Sequence, residues 1–164
     1  MQLRRRDKDI ESGNFYFGER ITLGRICRDA VEKKTPDIDI AKDVIECLHD
    51  IRVSSFVARL LMRYVERILE SFMAWMQRED AECYVPPQPE AMQAGVKTFA
   101  TEAGDMAAVV DLAEKYGWTF EQVYRMPYMD VFAVWKVEAA KARYQRRLDK
   151  VIENKIKSKS SKHG

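Results

Sequence analysis

Apolar side chains recur along most of this 164-residue chain at spacings of three and four, the period of a helix that buries one face. The longest run is 55–79, where Val57, Leu60, Leu61, Tyr64, Val65, Ile68, Leu69, Phe72, Met73 and Met76 form a wide band and Arg59, Arg63, Glu66, Arg67 and Glu70 take the other side. That pattern predicts a central helix partnered along one face, and its charges at every turn exclude a membrane span. A second reading makes Met62, Met73, Trp75 and Met76 a soft groove for a client helix, because methionine adapts to varied partners.

Other stretches repeat the period. Thr22 predicts the cap of a helix with a stripe of Leu23, Ile26, Cys27, Ala30 and Val31, and Lys33 and Lys34 suit its carboxyl end. A helix follows Pro36, with Ala41, Val44, Ile45 and Leu48 on one face and Asp37 and Asp39 near its amino end. Local signals agree best in 104–147. Met106, Val109, Val110, Ala113 and Tyr116 share a helical face that Gly117 terminates in a left-handed cap. Thr119 and Gln122 have the spacing of a capping box for a short helix with Phe120, Val123 and Tyr124, and Pro127 ends it and opens the last helix. That helix is apolar nearly all round from Tyr128 to Trp135, which predicts burial there. Beyond Ala142 only Tyr144, Leu148, Val151, Ile152 and Ile156 remain apolar, flanked by Arg143, Arg146, Arg147 and Lys150.

Between and beyond the helices the pattern changes. Residues 1–12 are polar and predict disorder, and Phe15-Tyr16-Phe17, Gly18-Glu19, Arg20-Ile21-Thr22-Leu23 has the form of a small β-hairpin. The prolines at 86, 87 and 89 predict a stiff extended linker over 84–89, with helix resuming at Glu90 through Met92, Val96, Phe99, Ala100 and Ala103. The Lys/Ser-rich end from Lys155 to Gly164 predicts disorder. The expected fold is mainly α: one helical domain of five or six helices over 13–148, a small N-terminal hairpin, and a protruding basic C-terminal helix leading into a tail over 149–164.

Charge adds an asymmetry to this picture. The totals nearly cancel, 28 basic against 26 acidic, yet 136–164 holds ten Lys/Arg and three Asp/Glu and Arg4, Arg5 and Arg6 add three more. The stretch 7–135 is left with 15 basic and 23 acidic residues. An acidic body with basic ends suits self-association, or a partner of both signs, better than a nucleic acid. Cys27, Cys47 and Cys83 are an odd set without CxxC spacing, and with no leader-like start the chain is expected to stay in a reducing cytoplasm. Cys47 and His49 lie two apart, where a helix points them away from each other, so no metal site is expected. Asp37 with Asp39 and Glu79 with Asp80 are carboxylate pairs without a histidine, phosphate loop or nucleophile elbow beside them, and neither catalytic residues nor a cofactor are expected.

Several segments occur in a recognisable order: A-G-V-K-x-F at Ala94 to Phe99, Leu112-Ala113 with Tyr116-Gly117-Trp118, Met126-Pro127-Tyr128 with Val131-Phe132, and Tyr144-Gln145-x-Arg147-Leu148. In this order the chain resembles the tail assembly chaperones of tailed phages and prophages, over roughly Tyr16 to Leu148 if the opening FYFGERITLG at Phe15 to Gly24 is included. The resemblance implies a non-enzymatic chaperone in the bacterial host cytoplasm. Its client would be the long helical tape measure protein, held while tail tube protein polymerises around it. Family members are often made in a short and a frameshifted long form, and the tail after Leu148 lies outside the resembling segments. Candidate partner-binding residues are Trp118 and Tyr128 from those segments, with Tyr144, Leu148, Val151 and Ile152 and the flanking Arg143, Arg146 and Arg147. The partner could also be a second copy. The competing reading is a helix-turn-helix DNA reader of phage or prophage origin, since Leu112-Ala113, Gly117, Val123 and Met126 share that spacing. Against it, the recognition helix would offer Phe120, Glu121, Gln122 and Arg125 and be cut by Pro127.

Overall fold

The structure, a computed structural model, describes residues 9–96 and 102–160. Among these residues the chain is mainly helical: α1 is Phe17–Lys33, α2 Asp37–His49, α3 Ser55–Leu60, α4 Met62–Cys83, α5 Pro89–Gln93, α6 Met106–Tyr116, α7 Phe120–Tyr124 and α8 Tyr128–Ser160. Helix α2 lies between α1 and the α3–α4 pair, α1 also touches α7 and α8, and α4 runs along α8. Among the described residues, the buried side chains other than Ala139 form one cluster to which every helix except α5 contributes.

The expected hairpin is not there. No strand occurs among the described residues, and Phe17 instead begins α1. Tyr16 does pair as extended backbone, but with Pro127 far along the chain, through an isolated bridge. The Phe17 amide donates to the Met126 carbonyl at 2.8 Å and the Tyr128 amide to the Phe15 carbonyl at 2.8 Å. These are amides of two helix starts, which lack intrahelical acceptors, and each finds one beside the other helix. Gly18 serves this closeness and no turn: a Cβ there would lie 3.0 Å from the Tyr124 ring and 3.1 Å from its carbonyl oxygen. Thr22 accordingly caps nothing; it sits inside α1 with its hydroxyl donating to the Gly18 carbonyl.

The N-terminal segment is folded from Asp9, where disorder was expected. Ile10 is buried and its carbonyl accepts from the Trp75 indole N–H at 2.8 Å, while Asp9 and Asn14 bridge across a turn. Residues 1–8 lie outside the described part. Trp75 is therefore a core residue, not part of a soft groove: its ring stands edge-on to Tyr128 and Phe132, each with centroids 5.7 Å away, and Phe15 stacks on Tyr128 at 4.7 Å. Such aromatic pairs stabilise beyond their buried area by about 0.5–1.5 kcal/mol each.

The central run bends at Leu61, which divides it into α3 and α4. Ala58, Val65, Ile68, Phe72 and Trp75 face the core, whereas Leu60, Tyr64 and Met73 are exposed. The buried stripe is thus narrower than expected and rotated toward Trp75. Val31 is likewise exposed, while α2 buries Ala41, Val44, Ile45 and Leu48 as its pattern predicts. Helices α1 and α2 end on Lys34 and Asp50 in the left-handed conformation, φ 51° and 53°, which no glycine announced. The Pro-rich segment 84–88 is non-helical and α5 starts on Pro89. Phe99 and Ala100 lie outside the described residues.

Three changes check these placements by thermal or denaturant melts. Ile68→Asp forces a carboxylate into the core and should cost about 3 kcal/mol or more, whereas Val31→Ser should stay within about 0.5 kcal/mol. Lys34→Gly removes a side chain from a left-handed cap and should stabilise by about 0.5–1 kcal/mol.

Candidate functional site

Helix α8 is two things in succession. Its first turns are core: Tyr128 and Val131 are fully buried, and Phe132 and Ala139 nearly so. Tyr128 donates its hydroxyl proton to Glu79 at 2.9 Å, and Glu79 also receives Arg20 from α1, so three helices meet on one carboxylate. Burial, with Glu79 alongside, pushes the Tyr128 phenol far above its ordinary value, so it remains a donor. Asp105, ahead of α6, joins the network by pairing with Arg20 and Arg28.

Farther along, α8 is held against the end of α4 by charge. Glu82 accepts from Lys136 at 2.6 Å and Arg78 at 2.7 Å, and these contacts hold its carboxyl below the ordinary range. Arg143 donates to the Glu82 backbone carbonyl at 3.0 Å, satisfying an acceptor that the end of α4 leaves without an intrahelical partner. Lys115 of α6 reaches Glu138 at 2.7 Å. Beyond the half-buried Arg146, every described side chain from Arg147 to Ser158 is exposed, and the helix continues to Ser160. The segment 155–160 is thus helix, not the expected disordered tail; 161–164 lie outside the described residues. At about 1.5 Å per residue the free part extends about 20 Å from the body.

The candidate residues separate accordingly. Tyr144, Leu148, Val151 and Ile152 share one side of the helix within about 100° of arc, all of them exposed. Val137 and Ile156, both exposed, lengthen this seam at either end. Tyr128 cannot meet a partner, because it is sealed beneath Phe15 and Trp75. Trp118 is half-buried, packed on the core and stacked on Tyr116 with centroids 4.7 Å apart. Arg143 is engaged with α4, so the free arm starts later than Ala142 and its basic flank is Arg147, Lys150, Lys155 and Lys157, with Arg146 at the root.

The turn with helix-turn-helix spacing is built as the sequence predicts. Gly117 takes φ 69°, and the Thr119–Gln122 capping box closes with the Thr119 amide donating to Oε1 of Gln122 at 2.8 Å. Helix α7 has only five residues, its Gln122 is used in that cap, and Arg125 pairs with Glu121 at 2.9 Å.

Other chemistry is sparse among the described residues. No group of three or more His, Cys, Asp or Glu side chains is placed to hold a metal ion, and no helix is long and apolar enough to cross a membrane. An open groove of about 430 Å³ between α1 and α2 is lined by Ile26, Ile40, Asp43, Glu46 and Cys47 among others. Burial pushes the Cys27 and Cys83 thiols up, which leaves them protonated and weakly nucleophilic at neutral pH. Comparison with protein families, with curated proteins and with solved structures finds no match to this chain.

The α4–α8 clamp has a pH signature. Because the folded-state pKa of Glu82 is depressed, its stabilisation is present above the unfolded value of about 4.3 and is lost as pH falls through the folded value. The melting temperature should be nearly flat from about pH 7 to 5 and fall below about pH 4. Glu82→Gln should melt lower than wild type at pH 7, and the gap should close in acid.

Proposed function

We propose that this protein is a non-enzymatic assembly chaperone for a phage or prophage tail, acting in the bacterial host cytoplasm on the helical tape measure protein. One observation carries the reading: a helical arm presents a narrow apolar seam in basic surroundings on a body whose own core is closed without it. An amphipathic client helix laid along Tyr144, Leu148, Val151 and Ile152 would gain apolar contact from the seam and charge contact from Arg147 and Lys150. Each such contact is small, and many copies along one long client make weak contacts effective. The order of the segments that resemble tail assembly chaperones supports the same class. The reading needs no cofactor and no reaction. It leaves tail tube protein as a further partner, met once the client is covered.

The DNA-reading alternative receives less support. A helix of five residues with its glutamine committed to a cap and its arginine paired offers little to base edges.

A chain ending at Arg143 retains the bond to the Glu82 carbonyl and loses the half-buried Arg146 and the exposed arm beyond it. It should keep the wild-type melting temperature within about 2 °C, as expected when no core contact is removed. It should also fail to keep co-expressed tape measure protein soluble. Retained solubilisation by the truncated chain, or a sequence-selective duplex complex at about 150 mM salt, would overturn the proposal.

A further inference from the structure

Among the described residues, helices α3 and α4 expose a face that no other helix covers. Phe56 is 71% exposed, Leu60 69% and Met73 47%, on a helix whose other side is core. Leu61, at φ -94° and ψ 6°, separates the two helices, yet Ala58 before it and Val65 after it are both buried, so the outward sides of α3 and α4 follow on from one another. Along this face Phe56, Arg59, Arg63, Glu66, Glu70 and Met73 follow one another at alternating steps of three and four, the spacing of a two-helix seam.

The charges on it are arranged in blocks. Arg59, Arg63 and Arg67 are four apart, as are Glu66 and Glu70, so like charges occupy i,i+4 positions, while Arg63–Glu66 and Arg67–Glu70 stand three apart as opposite charges. None of the five forms an ion pair among the described residues, and all are exposed. The order along the seam, two basic then two acidic, is complementary to itself when reversed. An antiparallel copy placed about a two-fold axis between positions 64 and 65 sets Arg59 opposite Glu70, Arg63 opposite Glu66 and Phe56 opposite Met73, each twice. An isologous contact requires this self-matching, whereas an unrelated partner would not.

We propose that this face is a homodimer interface, in which a second copy of the chain packs antiparallel along α3–α4. Four arginine–glutamate pairs then fix the register, and two phenylalanine–methionine contacts close its ends. The dimer is salt-sensitive, because the pairs lie at the surface of a narrow seam. It is independent of the arm and of the chaperone reading, and it would set two arms on one particle.

The full chain tests this by sedimentation over roughly 10–200 µM, a range that captures micromolar dissociation constants. Wild type should show a monomer–dimer equilibrium that shifts toward monomer at high salt. Arg59→Glu with Arg63→Glu makes all four seam charges acidic, and Glu66→Arg with Glu70→Arg makes them basic. Each pair should weaken self-association by about tenfold or more, and an equimolar mixture of the two should form a mixed dimer. The variant carrying all four changes keeps the composition and should dimerise like wild type, which separates charge pairing from any loss of fold seen by circular dichroism. The chain ending at Arg143 should dimerise as wild type does. A monomeric wild type, a dimer unchanged in the like-charge variants, a mixture that stays monomeric, or dimerisation lost with the arm would each overturn the proposal.

Discussion

Two amides that their own helices cannot satisfy bring the ends of this fold together. The Phe17 amide opens α1 and the Tyr128 amide opens α8, and each donates to a carbonyl just outside the other helix, across more than a hundred residues. An amide left unpaired at such a buried site would cost about 1–3 kcal/mol, so the exchange constrains both segments at once. Much else is arranged around it. Phe15 is drawn onto Tyr128, Ile10 is brought under Trp75, and Gly18 must lack a side chain for α1 to approach Tyr124. Pro127, which has no amide to satisfy, occupies the position between the two bonds.

Next to this junction lies a cluster of charge near the core. Glu79 takes the Tyr128 hydroxyl and the Arg20 guanidinium, and Arg20 also faces Asp105 and the Trp135 ring. A partly buried carboxylate is tolerated here because donors from two other helices converge on it. Desolvated ion pairs add little net stability compared with apolar packing, but they penalise any arrangement in which a partner is missing. The network therefore selects the relative placement of α1, α4 and α8. Once α8 is so placed, its length carries the remaining turns past the end of α4, where no other helix among the described residues covers them. The arm is thus a consequence of anchoring at the start of α8.

Where local chemistry determines structure, the sequence was legible. Gly117, the Thr119–Gln122 box and Pro127 each act within one helical turn, and α6, α7 and the start of α8 fall where those residues put them. Helix α2 was legible for the same reason, its apolar stripe having one outlet. The N-terminal region was misread because Phe-Tyr-Phe-Gly-Glu suits a hairpin locally, and the residue that competes for its extended backbone is Pro127, far away in sequence. Lys34 and Asp50 adopt left-handed caps without a glycine signal, their amides bonding back to Ala30 and Glu46.

By itself, then, the sequence determined a mainly helical chain, most helix ends in its second half, and a last helix that turns from apolar to basic along its length. Periodicity and capping suffice for that, because both act over three or four residues. Only the tertiary structure decided which part of each apolar band is core. In 55–79 the band is wider than the contact it meets, and the N-terminal turn claims the Trp75 side, which leaves Phe56, Leu60 and Met73 outside. In α8 the same packing takes Tyr128 out of reach, engages Arg143 and leaves Tyr144, Leu148, Val151 and Ile152 exposed. A helix pattern specifies a face. Which neighbour covers that face, and where the cover ends, depends on contacts between residues far apart in the chain, whose spacing no local period records.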